Sequence, residues 1–237
     1  MTGIEAADTS GPHGESADRD PRNPELLVRE PRQQRTREQW ERVLDAGVDL
    51  LEEGGYEAFT IAALCERAQV PPRALYARAA TKDALFLAVY ERGMSRVRAS
   101  EQVFDGHPSG DHTDEERIEH AVRGLVRVFT SNAAFLRSVV LISGAHPEVR
   151  RRGAAYRAAL GDRFVAALWP REPRQASHGS LAEREFCFSL VFAAMVVRTA
   201  YGPGFSLDRD HEAMDTELVT MSQRYLRPSR RSPRATP

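Results

Sequence analysis

Lysine is almost missing from this chain: Lys82 is the only one among 33 basic residues, and the rest are arginine. Cysteine is scarce as well, with Cys65 and Cys187 alone. Two cysteines far apart in apolar helical patterns exclude a disulfide framework or a cysteine-built metal module, and suit small buried thiols in a reducing compartment. No run of about 18 apolar residues occurs, which excludes a membrane-spanning helix by length. The opening "MTGIEAADTSGPHGES" has neither a basic nor an apolar region, so no signal peptide is expected. The expected location is cytoplasmic, with no membrane partner. Net charge is only −1, so the molecule is not a polycation and any nucleic-acid surface must be a local patch. Histidines 13, 107, 112, 120, 146, 178 and 211 are scattered, and no Gly-rich phosphate loop follows a strand. No catalytic residue, metal or cofactor is therefore expected.

What is present is helical. Apolar residues recur at helical spacing almost throughout, and no alternating strand pattern occurs. Residues 1–32 are rich in Gly, Pro, Ser and Asp and are expected to be disordered, as is the basic, Pro-rich tail 227–237. A first helix is expected over about 36–53, with Trp40, Val43, Leu44, Gly47 and Leu51 on one face and Gly54-Gly55 as its stop. Thr60 is a natural N-cap for "IAALCERA". "QVPP" breaks that helix, and Pro72 opens a third, about 72–79. Thr81 caps a fourth, expected to reach about Phe104. Further helices are expected at about 113–130, 132–143, 147–169, 181–201 and 208–226.

Three helices within about 45 residues, the last two short and tightly joined, make the plan of a helix-turn-helix unit. On the third, Leu75 and Ala79 point inward. Arg73, Tyr76, Ala77 and Ala80 point outward, with Arg78 at the edge. Small residues allow close backbone approach to a duplex, arginine reads guanine edges or phosphates, and a tyrosine hydroxyl bonds phosphate. Lys82 stands where its ammonium and the amides of a helix N-terminus can grip one phosphate. Arg35, within "REPRQQRTR", belongs either to an arm that follows DNA phosphates or to a solvated lead-in.

The stretch "WERVLDAGVDLLEEGGYEAFTIAALCERAQVPPRALYARAATKDALFLAVY" resembles the N-terminal domain of tetracycline-repressor-like (TetR family) regulators. The "GGYEAFT" turn, "IAALCERAQV", the "LY" pair and "TKDALF" carry the likeness, dense over about 35–90. It implies an all-α protein with an N-terminal three-helix helix-turn-helix domain, 33–82, and a C-terminal helical ligand-binding and dimerisation domain, 83–226. It places Thr60, Tyr76 and Lys82 at positions that contact phosphate. Arg73, Ala74 and Ala77 fall at positions that face base edges, and Arg78 stands where a histidine is common. Three residues depart from the pattern: Gln69 for the turn glycine, Pro71 for a serine cap, and Ala79 for the aromatic that anchors the recognition helix. Phe59 or Phe86 would then have to fill the space.

A helix-turn-helix reads one half-site, so a self-association face is expected. The last helix offers Leu207, His211, Met214, Leu218, Met221 and Tyr225. The one before it offers Phe186, Leu190, Ala193, Ala194, Val197 and Tyr201. Paired between subunits they would make a four-helix interface; the other reading is that both stripes pack inside the monomer. Phe129, Phe135, Val139, Tyr156, Trp169, Phe188, Phe192 and Met195 are candidates to line an effector cavity, or plain core. Arg198 would meet an anionic ligand group, pair with an acid, or reach solvent. The resulting expectation is a homodimeric regulator, a repressor by default. It binds a palindromic double-stranded DNA operator and is released by a small hydrophobic effector. The rivals are a helical ligand-binding or adapter protein that has lost DNA binding, and a small helical enzyme that uses the C-terminal cavity.

Overall fold

A computed structural model describes residues 34–105, 113–169, 179–202, 205 and 211–227. The N-terminal tail 1–32, the last ten residues of the C-terminal tail and Leu207 lie outside these. The helices are α1 (Gln34–Ala58), α2 (Ile61–Ala68), α3 (Pro72–Tyr76), α4 (Lys82–Ser100), α5 (Asp114–Ser131), α6 (Ala133–Ser143), α7 (Pro147–Leu168), α8 (Leu181–Tyr201) and α9 (His211–Tyr225). A 3-10 turn, Glu101–Phe104, extends α4. The protein is all-α, as its periodicity indicates. No single helix among the described residues is long and apolar enough to cross a membrane.

Local chemistry sets most boundaries. Gly55 leaves helical geometry (φ 66°, ψ −162°), so α1 bends at the expected Gly-Gly stop and adds one short turn to Ala58. Thr60 Oγ1 accepts from the Ala63 N–H at 3.1 Å, and Thr81 Oγ1 accepts from the Ala84 N–H at 3.0 Å. Thr113 with Glu116, and Ser180 with Glu183, close reciprocal capping boxes on α5 and α8.

The turn between α2 and α3 is left-handed at Gln69 (φ 54°, ψ 50°), where the related pattern has glycine. The Val70 N–H bonds back to Cys65 O at 3.0 Å, and Val70 is buried, which is a Schellman ending. A side chain with a Cβ in this conformation costs about 1 kcal/mol. Gln69→Gly is therefore expected to stabilise the protein by about 1 kcal/mol in urea unfolding, with the gain reduced by glycine's looser unfolded chain. No gain, or a loss, would mean that the Gln69 side chain offsets its own strain.

Helix α3 is shorter than its periodicity suggests, ending at Tyr76 rather than near Ala79. The Arg78 N–H turns to Leu75 O, the same carbonyl that the Ala79 N–H uses, so the chain tightens there. Leu75 and Ala79 are both 1% exposed. Phe59 and Phe86 are buried in the same core as Ala79, with their ring centroids 5.7 Å apart, and Tyr56 meets Phe86 edge-on at 4.9 Å.

One continuous core joins α1–α3 to the remaining helices. Helix α1 packs on α6, where buried Ser138 donates to Leu51 O at 2.6 Å. Two glycines let helices approach closely. A Cβ on Gly47 would lie 2.4 Å from Val89, and one on Gly93 would lie 2.1 Å from the Phe135 ring.

Candidate DNA interface and effector cavity

The exposed side of the N-terminal helices is built from three short segments. On α3, Arg73, Tyr76 and Ala77 are exposed, with Tyr76 at 52%. Arg78 is half-buried at the edge, and Ala74 is turned partly into the core. Arg35 is exposed in the first turn of α1. Thr60, at the start of α2, is exposed and uses a hydroxyl lone pair as its cap, which leaves the O–H free to donate. The Lys82 ammonium lies 4.8 Å from the Tyr56 ring centroid and 6.0 Å from that of Phe59. It therefore sits beside the 56–60 turn, and the starts of α2 and α4 converge on one side.

Salt bridges hold this unit rigid. Arg67 grips Glu53 through two 2.6 Å bonds, strapping α2 to α1, and that hydrogen bonding lowers the Glu53 carboxyl. Arg92 of α4 reaches Asp45 at 2.9 Å and Glu41 at 2.6 Å, while Arg96 reaches Asp45 at 2.6 Å. Burial pushes Asp45 upward, but the two arginines outweigh it and hold the carboxyl below its usual range.

Away from this surface, α4–α8 enclose a cavity of about 250 Å³. Of the residues suspected from sequence, Phe129, Val139, Tyr156 and Phe192 line it. Met195 lines a second depression, shared with Phe129, beside Arg137 and Arg198. Phe135, Trp169 and Phe188 line neither. Phe135 lies flat against Gly93, Phe188 stacks with Phe164 and Phe192, and Trp169 lies 4.1 Å under the Arg184 guanidinium. Arg198 is 8% exposed and pairs with Asp215 at 2.7 Å, so the acid partner is the one present. Sequence reading missed Tyr90 and Met94 of α4 and Arg150, Gly153 and Arg157 of α7. The last three share one helical stripe, which was a usable signal.

Helix α4 is tied to α7 as well as to α1. Arg152 bridges Glu91 of α4 at 2.6 Å and Glu148 at 2.7 Å. Hydrogen bonding from Arg151, then from Arg152, overcomes burial and pulls the Glu148 carboxyl down to about 2. A carboxyl lowered in the folded state stabilises above its ordinary pKa, and the contribution is lost as pH falls toward the folded value. Glu148→Gln is expected to lose about 1 kcal/mol at neutral pH, after allowance for solvent screening, and almost nothing at about pH 2. Unfolding both proteins in urea at the two pH values measures the difference. An equal gap at both would mean that Glu148 does not titrate against these arginines.

Residues 43–89 match the family model for bacterial regulatory proteins of the tetR family. None of the curated proteins matches the chain. Salmonella enterica GusR has the same fold at 16% identity, covering 80% of this chain and 96% of its own, with a TM-score of 0.60. A TetR-like transcriptional regulator from Rhodococcus sp. RHA1 aligns at 18% identity, over 83% of this chain and 97% of its own, with a TM-score of 0.53. What the chain shares with these structures is the fold: all-helical, with an N-terminal helix-turn-helix and a helical C-terminal part. The likeness to the tetR family thus lies in that N-terminal domain, over residues 43–89.

Proposed function

We propose that the protein is a homodimeric transcriptional repressor that binds a palindromic operator and leaves it when a small, largely apolar molecule enters the cavity. Residues 33–82 are the DNA-binding unit and 83–226 the effector-binding and dimerisation domain. Arg73, Ala77 and, at its edge, Ala74 face base edges; Arg35, Thr60, Tyr76, Arg78 and Lys82 hold phosphates. The observation that carries this reading is the α3 surface, where arginine, tyrosine and alanine are exposed on a helix whose Leu75 and Ala79 are locked in the core.

The dimer face is an unpartnered apolar stripe on α8. Phe186, Leu190, Val197 and Tyr201 are 50%, 41%, 39% and 59% exposed. On α9, Met221 and Tyr225 are also exposed, Leu218 is buried within the monomer, and the Tyr225 ring meets Phe186 at 5.7 Å. So large an exposed apolar surface fits a second copy of this chain. Cavity and DNA surface are coupled through α4. One side of that helix puts Tyr90 and Met94 into the cavity, while its Arg92 and Arg96 clamp α1. An effector that prefers a different α4 position shifts the dimer toward a spacing that fits successive grooves poorly.

Selection of binding sites from random duplex DNA, followed by titration of the winner at several salt concentrations, tests this. An enriched inverted repeat with a steep salt slope is the expected result. Weak, unselective binding would overturn it and favour the adapter reading.

A further inference from the structure

The cavity lining contains no acidic side chain. Its only charged groups are Arg150 and Arg157, both exposed on α7 and lying on one stripe with Gly153 and Ala154. Among the described residues Arg150 makes no ion pair. Arg157 is pre-positioned: its guanidinium lies 5.7 Å from the Phe188 and Phe192 rings, and it donates to Ser189 Oγ at 2.8 Å. The interior is apolar, formed by Met94, Phe129, Leu136, Val139 and Phe192, with two tyrosines, Tyr90 and Tyr156, as its polar exceptions. The Tyr156 hydroxyl is buried beside the Glu101 carboxyl. Burial raises Tyr90 to about 12, and burial together with Glu101 raises Tyr156, so both hydroxyls stay neutral. The site therefore has positive charge at its mouth, an oily interior and no acidic side chain in its lining.

We propose that the occupant is an amphipathic weak acid, a monocarboxylate with one apolar chain or ring system. Its carboxylate meets Arg150 and Arg157, and its hydrocarbon fills the interior. At roughly 20 Å³ per non-hydrogen atom in close packing, the cavity of about 250 Å³ admits a molecule of about twelve such atoms. A ten-carbon carboxylate fits that space and a sixteen-carbon one exceeds it. The inference rests on the reading of this cavity as the effector site.

Three ten-carbon probes of nearly one shape separate the terms: decanoate, decanol and decylamine. Each is titrated by calorimetry into the full-length protein, and then into the protein bound to its selected operator. Decanoate is expected to bind roughly ten-fold or more tighter than decanol, since a charge-assisted bond adds to the same apolar burial. Decylamine is expected to bind weaker than decanol, and hexadecanoate weaker than decanoate. The Arg150→Gln, Arg157→Gln double variant alters exposed side chains, and should remove decanoate's advantage while leaving decanol unchanged. Equal binding of acid and alcohol, preference for the amine, or no binding of decanoate at about millimolar concentration would each overturn the ligand class. Decanoate that binds through the two arginines yet leaves the operator complex intact would support the ligand class and overturn the effector reading.

Discussion

Replacing Phe86 with alanine is expected to lower stability by about 4 kcal/mol, or the melting temperature by roughly 10 °C. Phe86 is 1% exposed and has three ring neighbours: Tyr56 at 4.9 Å, Phe59 at 5.7 Å and His146 at 5.4 Å. The first two belong to the α1–α2 turn, and His146 caps α7. The ring therefore packs between the α1–α2 turn and the start of α7. Deleting it loses transfer energy, leaves a cavity and removes the edge-on contacts that aromatic rings add. The loss should reach function, because the turn carrying Tyr56 also seats Lys82. Phe86→Leu keeps most of the volume and is expected to cost about 1 kcal/mol, with operator binding retained. If Phe86→Ala cost under about 1 kcal/mol, the surrounding core would be collapsing into the space that the ring leaves.

That aromatic cluster was partly legible in the sequence, because a missing anchor asks for a replacement nearby. The helix boundaries were legible for a simpler reason. Thr60, Pro72, Thr81, Asn132, Pro147 and Ser180 act on the backbone within three or four residues, so their effect does not wait for the fold. Gln69 was different. Its left-handed conformation was implied by the turn's position and not by its own preference, since glutamine gives no such signal. The early end of α3 was hidden because it depends on how deeply Ala79 sits, which is tertiary.

The cavity was the least legible part. Aromatic residues at helical spacing gave candidates but not directions. Phe135 went to Gly93, on the neighbouring helix, a pairing no local pattern marks. The charged mouth was visible as a stripe at positions 150, 153, 154 and 157, but arginines on a helix surface are ordinary until the interior behind them is known to be oily. Arg198 shows the same gap: an acid partner was one of three open readings, and Asp215 lies on the next helix, beyond the reach of local periodicity.

On the selected operator, Arg73→Ala is expected to weaken binding by roughly 10- to 100-fold and to relax sequence preference at one position of each half-site. Lys82→Ala should weaken all sequences alike and lower the salt slope by about 1 per subunit, as for one lost phosphate contact. Tyr76→Phe removes a single neutral hydroxyl and should cost only several-fold. The three act on different groups of the duplex, so the triple variant is expected to fall by roughly three orders of magnitude, toward non-specific affinity. Stability decides what such a loss means. Arg73 and Tyr76 are exposed, so their variants should unfold in urea as the wild type does. Lys82 also rests on the Tyr56 ring, so its variant should lose a few tenths of a kcal/mol, and Lys82→Arg, which keeps both charge and ring contact, should recover most affinity. Unchanged affinity in the triple variant, alongside an enriched operator, would place the recognition surface elsewhere on the molecule and leave α3 as structural packing. A loss of affinity that tracked a loss of stability would instead assign these residues to the scaffold. Only lost affinity in a normally folded protein, with a shallower salt slope from Lys82 and relaxed sequence preference from Arg73, separates phosphate holding from base reading on this surface.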